Sequence, residues 1–260
     1  MSLAGHHICT AAMAPVLLFQ GFNARNKALK LPEPVGERTG SSGKGQRLDL
    51  LILGDSAAAG VGAKHQDQAL SGHIVRGLAD HFAVRWRLFA KTGETTQTTL
   101  DKLQQLSNRQ FDVVVTSLGV NDVTSGTSIK RWLSLQTELR ERLRNELGIR
   151  LLVVSSLPMM EKFPALPQPL RWHLGARARR FNSWLAADLE NERDCEFVPI
   201  DSIKEPELMA EDGFHPGPEA YEIWGRLAVK AVGNAIGRDA LLRQHRQISS
   251  SPGLQSRPAT

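Results

Sequence analysis

Between residues 48 and 236 the apolar positions fall into two alternating rhythms. Short, nearly unbroken apolar or β-branched runs at 48–53, 84–90, 111–118, 151–155 and 195–200 predict five strands. The stretches between them repeat every three or four residues. Leu70, Ile74, Leu78 and Phe82 predict a helix over 68–82, and Leu100, Leu103 and Leu106 one over 96–107. Leu135, Leu139, Leu143 and Leu147 predict a helix over 128–147, and Leu174, Phe181, Leu185 and Leu189 one over 170–191. A closing helix over 218–236 starts on Pro218, a residue suited to the first helical turn. Strands that are apolar on both faces and separated by helices specify a parallel sheet. The expected fold is therefore a three-layer α/β/α sandwich with five parallel strands.

The two ends differ from this centre. Residues 8–19 form an apolar run interrupted by Pro15, shorter than the ~20 residues a spanning helix needs. With only His6 and His7 ahead of it, the run lacks the positive n-region of a cleavable signal peptide. A cytoplasmic or peripherally membrane-associated chain is expected. Arg25, Lys27 and Lys30 follow the run, which suggests peripheral membrane contact through 8–19; packing on the domain as a covering segment is the plainer alternative. Residues 30–47 are rich in Pro, Gly, Ser and charge and read as a linker. Residues 239–260 read as a basic, disordered tail. The organisation expected is thus 1–47, a domain over 48–238, and that tail.

Charge adds one exclusion. The net charge is +5, but 1–47 carries six Lys/Arg against two Glu, and 237–260 four Arg against one Asp. The remaining 22 basic and 24 acidic residues leave the central domain near neutral, without the footprint of a nucleic-acid binder. Cys9 and Cys195 give neither a metal spacing nor a disulfide framework, and reduced, unpaired thiols are expected.

Candidate chemistry clusters after the strands. Gly54-Asp55-Ser56 follows the first, Gly93 the second, Gly119-Val120-Asn121-Asp122 the third, and Asp212-Gly213-Phe214-His215-Pro216 the fifth. Ligands of open α/β sheets bind beyond the carboxyl ends of strands, so these four blocks can converge. A serine after a strand can equally cap the next helix. Asp212 and His215, three apart, can meet, the carboxylate holding one ring nitrogen and freeing the other to take a proton from Ser56. Asn121 can donate to a developing oxyanion, and a glycine at 93 lets a backbone N–H approach the same point. Asp55 and Asp122 are expected to serve turn hydrogen bonding. The stiff apolar stretch 157–167, with Met159, Met160 and Phe163, could line an acyl pocket.

These four blocks, in this order, resemble the SGNH (GDSL-like) hydrolase superfamily over residues 48–236. The resemblance implies a flavodoxin-like sandwich and an esterase or lipase working through an acyl-enzyme. Ser56 would be the nucleophile, His215 the base and Asp212 its orienter, with oxyanion donors from Ser56 N–H, Gly93 N–H and the Asn121 side chain. Ala57 stands where the family's common name has Leu, which bears on local packing only. Carboxylic esters are the implied small-molecule substrates, lipid-derived esters or thioesters among them, with no cofactor and no metal. The rival from another class is a non-catalytic or acyl-transferring member that acts as an acyl-group binding protein.

Overall fold

A computed structural model of the chain describes residues 3–249, and the side chains of 13–238. Five parallel strands form the sheet: β2 (Gln46–Gly54), β3 (Phe82–Ala90), β4 (Val113–Ser117), β5 (Leu151–Ser155) and β6 (Cys195–Val198). A sixth, β1 (Thr39–Ser42), pairs antiparallel with β3 at the edge, and the sheet order is β1-β3-β2-β4-β5-β6. Counted by the parallel strands alone this is 2-1-3-4-5, the flavodoxin-like order, whose switch point lies between β2 and β4. Ser56 sits there.

The strands are apolar on both faces because both faces are covered. Leu51 and Leu53 of β2, Val114 of β4 and Leu152 and Val154 of β5 face one layer. Against them pack α4 (Thr96–Lys102), α6 (Ile129–Leu147) and α7 (Leu170–Leu189). Leu50 and Ile52, Val113 and Val115, and Leu151 and Val153 face the other, formed by α3 (Leu70–Ala79) and α8 (Pro218–Ser249). Fully burying one such side chain is worth about 1.5–3 kcal/mol, so these rows dominate the stability of the sheet. Trp132 of α6 and Phe181 of α7 are both fully buried and close the first layer, with ring centroids 4.6 Å apart.

Four expectations need correction. The helix expected over 68–82 is a 3-10 turn at Gln66–Gln68 followed by α3, and Phe82 belongs to β3, paired with Gln46. The four-residue spacing ran on past the true end, and strand pairing overrode it. The helix expected over 96–107 is α4, closed by a 3-10 turn at Leu103–Leu106. The linker contains β1, so the sheet has six strands rather than five. The tail is helical to Ser249, where α8 ends, while residues 250–260 lie outside the described residues.

The apolar run near the N-terminus lies within a 25-residue helix, α1 (Leu3–Lys27), which runs through Pro15. Pro15 is on the exposed side of the helix. Leu17 is buried against the first layer, and Met13 and Ala24 pack beside it. Gln20 fastens α1 to the start of α7: its Nε2 donates to Gln168 O at 2.7 Å, and its Oε1 accepts from Leu170 N at 3.1 Å. Among the described residues no helix is long and apolar enough to cross a membrane. The side chains of residues 8–12, including Cys9, lie outside the described residues; Cys195 is a free, buried thiol.

Candidate active site

β2 delivers Ser56 through a crowded crossing. A Cβ on Gly54 would lie 2.3 Å from Ser117 O, so only glycine lets β2 and β4 run this close at their ends. Asp55 N then donates to Ser117 O at 3.1 Å. Ser56 opens the short helix α2 (Ser56–Ala59), capped by the Asp55 side chain, which accepts from Ala57 N at 3.0 Å. The backbone N–H groups of a first helical turn have no partner within the helix. The serine's own N–H is therefore suited to meeting an anion. Burial pushes the Asp55 carboxyl up to about 7, against the opposing influence of the Ala57 N–H and of His215. Asp55 is the local hydrogen-bonding residue that the sequence suggests.

The histidine loop builds itself. Asp212 Oδ1 accepts from the N–H groups of Phe214 and His215, both at 2.9 Å, and Oδ2 meets His215 Nδ1 at 2.6 Å. Nε2 of His215 lies 2.9 Å from Ser56 Oγ. Burial alone would raise the Asp212 carboxyl, but the bonds from the His215 ring and the two N–H groups outweigh it and hold the group below its ordinary range. The loop is pinned by Ala210 N to His215 O at 2.8 Å and Gly217 N to Leu208 O at 2.7 Å. It also presses on the serine side: a Cβ at Gly62 would lie 2.2 Å from Pro216 O.

Gly93 and Asn121 leave the sheet at the same level as Ser56, because Gly54 pairs with Ala90 on one side and Ser117 on the other. Asn121 stands in α5 (Val120–Thr124), and its Nδ2 donates to Glu94 O at 2.9 Å. One amide hydrogen is committed there; the other remains for a ligand. Gly93 has φ +86°, and a Cβ there would meet nothing within 4 Å, so this turn is open to an approaching group. Asp122 ties the same two blocks together more deeply. Its Oδ2 accepts from Thr96 N and Oγ1, both at 3.0 Å, and burial raises its carboxyl above the ordinary range.

The segment read as a linker contributes here. Glu33 Oε1 accepts from Thr92 N at 2.8 Å and Thr92 Oγ1 at 2.9 Å, immediately before Gly93. Arg38 pairs with Glu33 at 3.0 Å and also donates to Ala90 O. Burial would raise Glu33, but the Thr92 bonds and Arg38 prevail and hold it low. Only the charge of 30–47 was visible in the sequence, not its target.

Beside Ser56 and His215 lies an apolar pocket with walls from Leu118, Leu157, Phe163, Ile200, Met209 and Phe214. Its free space is about 50 Å³. Of the three residues expected to line it, Phe163 does. Met160 is fully buried in the core behind the loop, and Met159 is half-buried outside the lining. Phe163 also stacks edge-on against Phe214 at 5.0 Å, and Phe214 against the His215 ring at 5.3 Å, so the pocket wall props the histidine. Ile200 ends the strand expected over 195–200 and Met209 lies in a segment without a periodic signal, and neither position points to a pocket in the sequence. Among the described residues, Glu192, Asp194 and Cys195 approach one another within 4.8 Å. They lie at the amino end of β6, on the opposite edge, where Arg144 reaches both carboxylates at 2.7 Å.

An open α/β sheet carrying a Ser–His–Asp chain of bonds beside an apolar pocket has the form of an esterase-type hydrolase. Comparison with known proteins defines the family: the model of the GDSL-like Lipase/Acylhydrolase family matches residues 52–223, and the chain belongs to that family. The GDSL-like esterase Rv1075c of Mycobacterium tuberculosis (strain ATCC 25618 / H37Rv) is 26% identical over 217 residues, covering 79% of this chain and 68% of that protein. Two solved structures share the fold. The lipase Lip_vut3 from a goat rumen metagenome aligns with a TM-score of 0.58 at 19% identity, over 71% of this chain and 97% of that one. Axe2, an acetylxylan esterase from Geobacillus stearothermophilus, aligns with a TM-score of 0.56 at 15% identity, over 73% and 95%. The protein is thus a carboxylic ester hydrolase acting on small-molecule esters.

Proposed function

We propose that this hydrolase works through an acyl-enzyme on Ser56. The observation that carries the reading is the unbroken line of bonds from Asp212 through His215 to Ser56. His215 Nε2 takes the Ser56 proton as Oγ attacks the ester carbonyl, then gives it to the departing alcohol. The Asp212 carboxylate, held ionised by its donors, keeps Nδ1 protonated and balances the imidazolium. The oxyanion is met by the N–H groups of Ser56 and Gly93 and by the free amide hydrogen of Asn121. Water, activated by the same histidine, releases the acid.

The pocket takes the acyl group. Its free space of about 50 Å³ is well below the ~150 Å³ cavity that holds a benzene ring. Short acyl groups fit inside it, each buried methylene contributing ~0.8 kcal/mol. Lipid-derived chains extend beyond it, and esters or thioesters of short acids are the preferred class. A series of p-nitrophenyl esters tests this: kcat/KM should peak at short acyl length, and quenched turnovers should show Ser56 carrying the acyl mass. A peak at ten carbons or longer, or no covalent adduct during a burst of p-nitrophenol, overturns the reading.

A further inference from the structure

Helix α1 carries its apolar residues on both sides. Met13, Leu17, Gln20 and Ala24 form the inward row, spaced by three and four residues. A surface helix ordinarily turns polar residues to the opposite side. Here that side carries Leu18 at 75% exposure with Phe19 and Phe22 at 66% each, and Val16 stands at its flank. Of the seven large hydrophobic side chains left exposed among the described residues, five fall within Val16–Leu29. Water-facing aromatic and aliphatic side chains concentrated on one helix mark an interaction surface.

Three further observations identify what covers it. Arg25, Lys27 and Lys30 are all exposed at the carboxyl end of the same segment, and the first 32 positions contain no acidic residue. The face is therefore apolar with a purely cationic border. Next, the Gln20 clamp to Gln168 and Leu170 sets α1 at the end of the 156–169 loop, which supplies Leu157 and Phe163 to the pocket. Finally, among the described residues no helix is long and apolar enough to cross a membrane, so α1 itself would meet lipid from the surface.

We propose that the outward face of α1, Leu18, Phe19 and Phe22 bordered by Arg25, Lys27 and Lys30, docks this protein on an anionic lipid bilayer. The apolar side chains enter the headgroup–acyl boundary, and the cations stay at the level of the phosphates. A second copy of the chain is the poorer occupant. A two-fold contact through this patch would bring no acidic residue of positions 1–32 to the cationic border. The Gln20 clamp sets the docked helix against the end of the loop that supplies Leu157 and Phe163 to the pocket. The inference stands on the surface of α1 and does not depend on the roles given to Ser56 and its partners.

Flotation of the full chain with vesicles of phosphatidylcholine, and of phosphatidylcholine with about one third phosphatidylglycerol, tests it. The protein should float with the anionic vesicles and far less with the neutral ones. Raising salt from about 50 mM to about 500 mM should weaken that binding, because exposed charge is screened. The triple variant Leu18→Ser/Phe19→Ser/Phe22→Ser should lose at least about tenfold in bound fraction. The reversal Arg25→Glu/Lys27→Glu/Lys30→Glu should do the same without touching the inward row. Thermal melts of both variants check that the fold is kept. Equal flotation of wild type and both folded variants overturns the proposal. So does a wild type that stays at the bottom of the gradient, whether as a monomer or as a dimer dispersed by the triple variant.

Discussion

The two sides of Ser56 are built in opposite ways. On one side the histidine machinery is largely local: Asp212, Phe214 and His215 satisfy one another within four residues, while the 2.9 Å bond to Ser56 and the 3.1 Å bond from Ala165 N to Gly213 O reach across the chain. On the other, the proposed oxyanion side is assembled from distant pieces. Glu33 grips Thr92, Asn121 grips Glu94, and Asp122 grips Thr96. Local spacing organises the first, tertiary pairing the second. Damage to the first should therefore be abrupt, and damage to the second graded by how many anchors remain.

The largest effect should come from the compact side. Asp212→Asn leaves the loop geometry in place but no longer compels a proton on Nδ1, and kcat should fall roughly 10³-fold or more. A loss under tenfold would show that Asp212 does not orient the base. Across the serine, Asn121→Ala removes the proposed donor to the oxyanion and a brace on the Glu94 turn. A fall of about 10²–10³ in kcat is expected. A change confined to KM would make Asn121 a substrate contact instead.

Glu33→Ala tests the graded side. Without the acceptor for Thr92 the Gly93 turn loses one anchor, and kcat should drop about 10- to 100-fold with KM little changed. Glu33→Gln, which keeps an acceptor oxygen, should recover part of it. The carboxylate of Glu33 sits below its ordinary range, so this anchor is present near neutral pH and released only as pH falls through that lowered value. Identical kcat for wild type and both variants would remove Glu33 from the account.

The last effect is on stability rather than turnover. Asp55 titrates near 7 in the folded protein instead of its ordinary 3.8, so the folded state holds the proton longer than the unfolded chain does. The cost to stability grows as pH rises from about 4 to 7, at on the order of 1 kcal/mol per pH unit, and is constant above. Asp55→Asn keeps an acceptor for Ala57 N–H and removes that cost. Its melting temperature should exceed that of wild type by more at pH 8 than at pH 5. A difference independent of pH would mean that Asp55 is ionised in the folded state.

The same contrast explains what could be read in the sequence. The strands and the Leu100, Leu139 and Leu185 helices announce themselves because burial on a sheet face demands periodicity. Asp212 and His215 are legible because three-residue spacing is local. Glu33 and Arg38 were hidden in Pro- and Gly-rich sequence because their partners lie over fifty residues away in β3 and its turn. The edge strand β1 was hidden for a similar reason: Thr39–Ser42 contains no large apolar residue, and its pairing with β3 is a backbone matter. Met160 misled in the other direction, since an apolar loop residue can face the core as readily as a pocket. A chain cut near residue 45 would lose both β1 and the Glu33 anchor.

The most direct test of the account is reaction of the folded protein with a fluorophosphonate, a reagent that captures a serine only when a neighbouring base activates it. The account predicts a single phosphonyl adduct, located on Ser56, absent from Ser56→Ala and formed far more slowly in Asp212→Asn. Undiminished labelling of Ser56→Ala, or a wild type that stays unlabelled while hydrolysing esters, would contradict it.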